Sequence, residues 1–226
     1  MSDDNMMDPD EFYTKTQRKL QEENEALKLG DAVVGAIVRK SLEAPHIEFI
    51  EKLDYFFLST VSSKGEPTVS YKGGPVGFVK ILDETTLMFP NYDGNGMFFS
   101  MGNVQESKKL GMLFIDMETP QRIRVQGTAS ITTKERAMEV YPGANMVVVV
   151  EIDSVFYNCA RYIHGFKRVG TSKYVPDEQG NQPFPAWKRI ELLQDVLVPK
   201  DQGRAEQEGG TITQDDYNRL VSEGDS

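Results

Sequence analysis

The sequence predicts a small closed antiparallel β-barrel of about six or seven strands, decorated by helices. Two observations carry that expectation. From residue 55 onward the apolar pattern shifts to aromatic and β-branched runs divided by short turns such as Ser63-Lys64-Gly65-Glu66. Only two helical stretches interrupt those runs, and the segment VVVVEI is almost wholly β-branched, as expected of a strand buried on both faces.

The elements follow in order. The first ten residues are acidic and read as frayed. Residues 11–28 read as a helix with Phe12, Thr16, Leu20 and Leu27 on helical spacing and Gly30 as its stop. Asp31 is placed to cap a second helix over 32–42, and Pro45 to start a third with Ile47, Phe49, Ile50 and Leu53 on its apolar face. YFFLSTVS is the first barrel strand and 67–71 its return; 78–82 and 86–89 make a second hairpin around Asp83-Glu84. A helix is expected over 95–107, with Met97, Phe98, Met101 and Val104 as its stripe. Strands follow over 110–116, 123–132 and 146–155, with a short helix near 134–140. The expected organisation is an N-terminal helical extension over 1–44, a barrel domain over 45–170, and a C-terminal extension over 171–226. That extension ends in a polar, glycine-containing tail read as mobile or as an arm on a partner.

Composition narrows the function. A chain of 226 residues with net charge −10 has no basic stripe to offset repulsion by phosphates, so nucleic acid is not an expected partner. A single cysteine, Cys159, leaves no intrachain disulfide and fits a reducing, cytoplasmic setting. The N-terminus lacks the basic and apolar regions of a secretory signal, and no apolar run is long enough to span a membrane. With only His46 and His164, and no nucleophile elbow or Cys-x-x-Cys, metal sites and catalytic triads are not expected. A chain so poor in nucleophiles fits chemistry carried by a cofactor.

A candidate site lies in VSYKGGPVGFVKILDETTLMFPNYDGNGMFFSMGN together with QRIRVQG. Ser70 and Lys72 project from one face of a strand, and hydroxyl plus ammonium suits a phosphate oxygen. Lys72 is equally readable as a solvated edge-strand lysine. Gly73-Gly74-Pro75 serves as a plain turn or as a close approach to a ligand. Phe89-Pro90-Asn91 ends a strand, and the loop through Asn95 enters a helix whose first amides would be free for an anion or capped by Asn95 itself. Asn103 lies in that helix as a ligand contact or beside a kink at Gly102. Arg122 and Arg124 share one strand face. They suit negative charge developing on a bound cofactor, or an outward face paired with acids. Trp187 covers a ring or anchors the C-terminal extension, the second being favoured; Cys159 reads as a packed residue.

Motif by motif, FFLST, VSYKGGPVGFV, LMFPNYDGNGMFFSMGN, MLFIDM, RIRVQGTA and YNCARYIH resemble the flavin-binding split barrels of the pyridoxamine 5′-phosphate oxidase family. The resemblance runs over roughly 49–168. It implies a split rather than closed barrel, a homodimer with FMN in the groove between two chains, and a small-molecule substrate. It implies Ser70 and Lys72 at the phosphate, Phe89, Pro90 and Asn91 along the ring, and Asn95 and Asn103 in a helix with phosphate contacts. Arg122 falls where the family has a polar flavin contact. The chain departs from the true oxidase at Thr68, Val69 and Asp93-Gly94-Asn95, where the oxidase carries arginine and a Ser-Arg-Lys cluster, and in lacking its C-terminal substrate-phosphate residues. The function implied is an FMN-dependent oxidoreductase on an unidentified small molecule. The alternatives are a deazaflavin-dependent reductase or a non-enzymatic flavin or tetrapyrrole carrier.

Overall fold

A computed structural model describes residues 3–225. Three helices open the chain: α1 (Pro9–Phe12), α2 (Lys15–Glu23) and α3 (Leu27–Ile37). They are followed by a two-residue strand β1 (Val38–Arg39) and helix α4 (Ala44–Glu51). The sheet is built from β2 (Tyr55–Val61), β3 (Pro67–Gly73), β4 (Lys80–Asp83), β5 (Thr86–Asn91), β6 (Lys109–Asp116), β7 (Gln121–Thr132) and β8 (Met146–Asn158). Helix α5 (Phe99–Ser107) follows β5, and α6 (Glu135–Met138) follows β7. Beyond β8 come short 3₁₀ turns between Ala186 and Glu208 and a last helix, α7 (Gln214–Glu223).

The expected helix over 11–28 is two helices. Thr14 and Gln17 form a capping box that starts α2, and the chain turns at Glu25 in the left-handed region before α3 runs straight through Gly30. Asp31 does not cap; its carboxylate receives the Arg18 guanidinium at 2.5 Å. The first residues are not frayed where they are described. The Asp8 side chain accepts from the Asp10 amide, Asn5 accepts from Ser41, and Met7 is buried.

All sheet pairings are antiparallel, in the order β3-β2-β6-β7-β8-β5-β4, with β1 added on β8. The path does not close: β3 and β4 are its two ends. The sheet is thus the split barrel that the family resemblance implies, with eight strands rather than six or seven and without the closure that the strand pattern alone suggests. Alternation puts Phe56, Leu58, Met112, Phe114, Ile123 and Val125 on the inner face, where they join Val148, Val150, Val155, Leu87 and Phe89 in one core. Met101 and Val104 seal that core from α5. On the outer face, α1 and α3 bury Phe156 with Met7, Val34 and Phe12.

A bulge between Gln126 and Gly127 lets the long β7–β8 ribbon bend. Only glycine fits there, because a Cβ at Gly127 would lie 2.6 Å from the Glu151 carbonyl oxygen and from a Val150 methyl. Gly74 is equally constrained, with a would-be Cβ 2.5 Å from the Phe78 ring. That closeness turns Phe78 and Val79 inward as a plug and delays the start of β4 to Lys80.

The C-terminal segment is not a mobile tail. Its 3₁₀ turns pack back on the sheet connections, Ile190 bridges Ile212, and Lys173 holds Asp225 at 2.8 Å. The local signal was too weak to show this: the buried apolar residues Phe184, Ala186, Ile190, Leu197 and Ala205 are scattered singly among polar and charged ones. Among the described residues no helix is long and apolar enough to cross a membrane, and no His/Cys/Asp/Glu group is suited to hold a metal ion.

Candidate functional site

The site begins with the period of β3. Lys72 and Ser70 stand opposite Phe56 and Leu58, both fully buried, so the two polar side chains face the barrel interior. Because β3 ends the sheet, that interior is only partly covered, and Ser70 and Lys72 are half-buried. The Ser70 hydroxyl lies 3.2 Å from the hydroxyl of Ser100, in the first turn of α5. The residue before α5, Phe98, sits in the left-handed region with φ 47° and offers no capping side chain. The opening amides of α5 are left for another acceptor. Burial pulls the Lys72 ammonium below its ordinary pKa, and among the described residues no acidic partner offsets it. A hydroxyl pair at the start of α5 and a lysine without an acid partner thus lie on the inner side of the β3 edge, with Gly73 closing the strand opposite Tyr55.

The other expected residues divide. Phe89 is fully buried and meets Phe56 edge-on at 5.0 Å, so it is a core residue, and Pro90 is buried beside it. Neither lines an open ring slot in the single chain. Asn91 is half-buried and donates to Asn145 Oδ1 at 2.8 Å, tying β5 to the start of β8. Asn95 is exposed and lies outside α5: its Oδ1 accepts from the Met97 amide at 3.1 Å, an Asx turn within its own loop. The expected helix start at 95 moves to Phe99 for this reason. Asn103 is buried and donates to Thr60 Oγ1 at 3.1 Å, docking α5 on β2. Its amide group serves the fold.

Arg122 and Arg124 share a face, as their spacing requires, but it is the outer face. Their register neighbours are Ile115 and Asn158 for Arg122, and Leu113 and Phe156 for Arg124. The Arg122 Nε and the Asn158 Oδ1 are both buried without a hydrogen-bond partner. This face also carries Tyr55 and Tyr71, stacked at 5.5 Å, with Phe57 edge-on to both. The expected site residues therefore form two groups on opposite faces of one sheet, and one chain does not bring them together.

Sequence spacing also missed a charge cluster. Lys188, buried in the C-terminal extension, bonds Asp93 Oδ2 at 2.5 Å and Asp201 Oδ2 at 2.6 Å; Lys200 bonds Asp93 Oδ1 at 2.6 Å. Burial would lower the Lys188 pKa, but the hydrogen bonds it donates to Asp201 and Asp93 outweigh that and hold the ammonium above its ordinary value. Burial likewise favours neutral Asp93, and its two lysines reverse that. Trp187 is half-buried in this extension, with the Lys188 ammonium 5.6 Å from its ring. No local signal marks the cluster, since Asp93 and Lys188 are 95 residues apart. Ser100 was missed because the helix was expected to start one turn earlier. Cys159 is exposed rather than packed, and the Arg161 amide and guanidinium lower its thiol pKa. His46 is buried, accepts from the Glu43 amide at 3.1 Å and stacks on Tyr157.

Comparison with known proteins places this geometry. Solved structures similar to the chain include HupZ of Group A Streptococcus, at 18% identity over 51% of this chain and 93% of that one, with TM-score 0.42. Another is an FMN-binding protein of Syntrophomonas wolfei, at 14% identity over 62% and 97% of the two chains, with TM-score 0.38. A third is a protein related to general stress protein 26, from Clostridium acetobutylicum, at 12% identity over 52% and 90%, with TM-score 0.38. No curated protein matches. The family model described as pyridoxamine 5′-phosphate oxidase matches residues 42–159, from the turn before α4 to the end of β8. With more than half its length inside that match, including every strand from β2 onward, the chain belongs to the pyridoxamine 5′-phosphate oxidase family.

Proposed function

We propose that this protein binds FMN as a homodimer and acts as a flavin-dependent oxidoreductase on a small molecule. The observation that carries the reading is Lys72, an ammonium partly withdrawn from water with no counter-ion, next to Ser70, Ser100 and the uncapped start of α5. Desolvating a lysine without a partner costs stability, and a phosphate monoester supplies the missing charge and acceptors. In a chain of net charge −10, few other concave surfaces would welcome a phosphate. Bound FMN supplies electron and hydride exchange at its ring, and the protein supplies binding and electrostatics.

The residues fit that cofactor in two halves. Lys72 grips the phosphate, and Ser70, Ser100 and the first α5 amides donate to it. The orphaned Arg122 Nε and Asn158 Oδ1 offer a donor and an acceptor to the polar ring edge. Arg124, on the same face, adds positive charge. The two halves lie on opposite faces of one sheet, so a single flavin reaches both only between two copies of the chain. Exposed apolar side chains support such pairing: Val69 and Tyr71 on β3, and Met97, Phe98 and Phe99 at the entry to α5. A tetrapyrrole is less well served, because the chain has two histidines and one of them, His46, is enclosed and hydrogen-bonded.

The test is optical. Purified protein titrated with FMN should show a saturable, perturbed flavin band, and light scattering should give about twice the 25.5 kDa chain mass. A folded protein that leaves the FMN spectrum unchanged overturns the reading.

A further inference from the structure

We infer that a cavity beneath the C-terminal extension is a binding site for a small aromatic anion, a flat ring bearing one carboxylate. This goes beyond the flavin reading and uses none of its ligands. The cavity is about 380 Å³, within the size range of pockets that hold small organic molecules. Phe184, Trp187 and Tyr217 supply its aromatic walls, and Lys200 and Arg204 stand beside them.

Its floor is already satisfied. Lys188 is fully engaged by Asp93 and Asp201, which keeps the base of the cavity rigid. Arg204 is different. Its guanidinium stands 4.6 Å from the centre of the Phe184 ring, while its acidic neighbours Asp201 and Glu208 are 3.7 and 3.5 Å away, too far for strong hydrogen bonds. It therefore keeps donors to give. Three cations (Lys188, Lys200, Arg204) face three carboxylates (Asp93, Asp201 and, just outside the lining, Glu208), a balance of 3 − 3 = 0 in a chain whose total is −10. A neutral pocket in an acidic protein spares an anion the repulsion it meets elsewhere, the free donors of Arg204 give it a partner, and aromatic walls select a flat apolar body. A carboxylate on a ring meets both demands, with the guanidinium fork as its partner.

Trp187 is the only tryptophan in the chain, so its indole N–H resonance reports this cavity alone. Full-length protein should be titrated with benzoate, benzamide and benzylammonium in turn. Benzoate should shift the indole resonance saturably, and the neutral and cationic analogues should bind roughly tenfold or more weakly. Arg204→Gln should weaken benzoate about threefold to tenfold and leave benzamide unchanged. Arg204 is half-exposed, so the fold tolerates the change; Lys200→Gln is a second variant with the same expected direction. Absence of a saturable shift, or equal affinity for benzoate and benzamide, overturns the proposal. So does unaltered benzoate affinity in a folded Arg204→Gln.

Discussion

Two lysines of this chain are withdrawn from water, and the structure treats them oppositely. Lys188 in the C-terminal extension is enclosed by two aspartates and is held above its ordinary pKa despite burial. Lys72 on β3 has no acid beside it, and burial takes it below. A fully paired charge is structural, because both members already have what they need. An unpaired one leaves a charge unmet, which the phosphate proposed above would satisfy. The difference separates a lysine that holds the molecule together from one that packing leaves without a partner among the described residues.

Substitution should break the comparison most visibly at Lys188. Lys188→Met leaves buried Asp201 with only Arg204 at 3.7 Å and Asp93 with Lys200 alone, and should cost about 3–5 kcal/mol of the docking energy of the extension. Hydrogen exchange should show lost protection around Lys188 to Asp201. Retention of the native exchange pattern would mean the cluster is held by packing alone.

At Lys72 the same replacement should do the reverse. Lys72→Met removes an unmet charge, so the melting temperature of the ligand-free protein should stay level or rise. FMN affinity should fall by roughly tenfold to a hundredfold, the loss of one charge-assisted contact worth about 1.5–3 kcal/mol. A drop in melting temperature with unchanged FMN affinity would make Lys72 a structural residue after all.

pH separates the two sites further. Asp93 has a depressed folded pKa, so its contribution is present above the unfolded value of about 3.9 and is lost as pH falls through the lower folded value. Lys188 has a raised folded pKa, so its contribution is complete below about 10.4 and is lost as pH rises through the higher folded value. The extension should therefore stay docked across the neutral range and release only in strong acid or strong base, as near-ultraviolet dichroism would record. Lys72 behaves otherwise. Its folded pKa lies below about 10.4, so FMN affinity should begin to decline at a pH where an ordinary lysine is still charged. Lys72→Arg should flatten that decline, and an affinity that is level with pH in the unmodified protein would exclude Lys72 from the phosphate.

The two asparagines of the α5 region give the smaller contrasts. Asn103→Ala strands the buried Thr60 hydroxyl and should cost about 1–3 kcal/mol in a denaturant titration. Asn95→Ala, exposed and bonded only within its own turn, should change stability by no more than about 0.5 kcal/mol. A larger effect at Asn95 than at Asn103 would mean that the loop, not the helix–strand contact, secures the start of α5.

These contrasts mark how far the residues could be read in line. Period-two alternation was enough to put Ser70 with Lys72, and Arg122 with Arg124, because side-chain direction along a strand is a local property. It could not say that the first pair faces inward and the second outward, since that depends on which face the neighbouring strands bury. In the chain, Asn95 and Asn103 read as members of one helix, the first at its entry and the second within it. One ended in an open turn and the other under a helix because Phe98, not Asn95, took the left-handed turn into α5. Phe89 looked like a ring contact because aromatic residues suit both a flavin and a core, and the packing of Phe56 against it decided for the core.

Taken alone, the sequence determined the barrel strands, the −10 charge, the scarcity of histidine and cysteine, and the family motifs; all of these are set by residue type and short-range order. Tertiary structure decided that the sheet stays open at β3 and β4, and that the polar C-terminal segment folds back on it. It also decided that Lys188 finds its acids from 13 and 95 residues away while Lys72 finds none. The physical reason is common to these outcomes: whether a charge is paired depends on which segments meet in space, and pairing across such separations leaves no period in the chain to read.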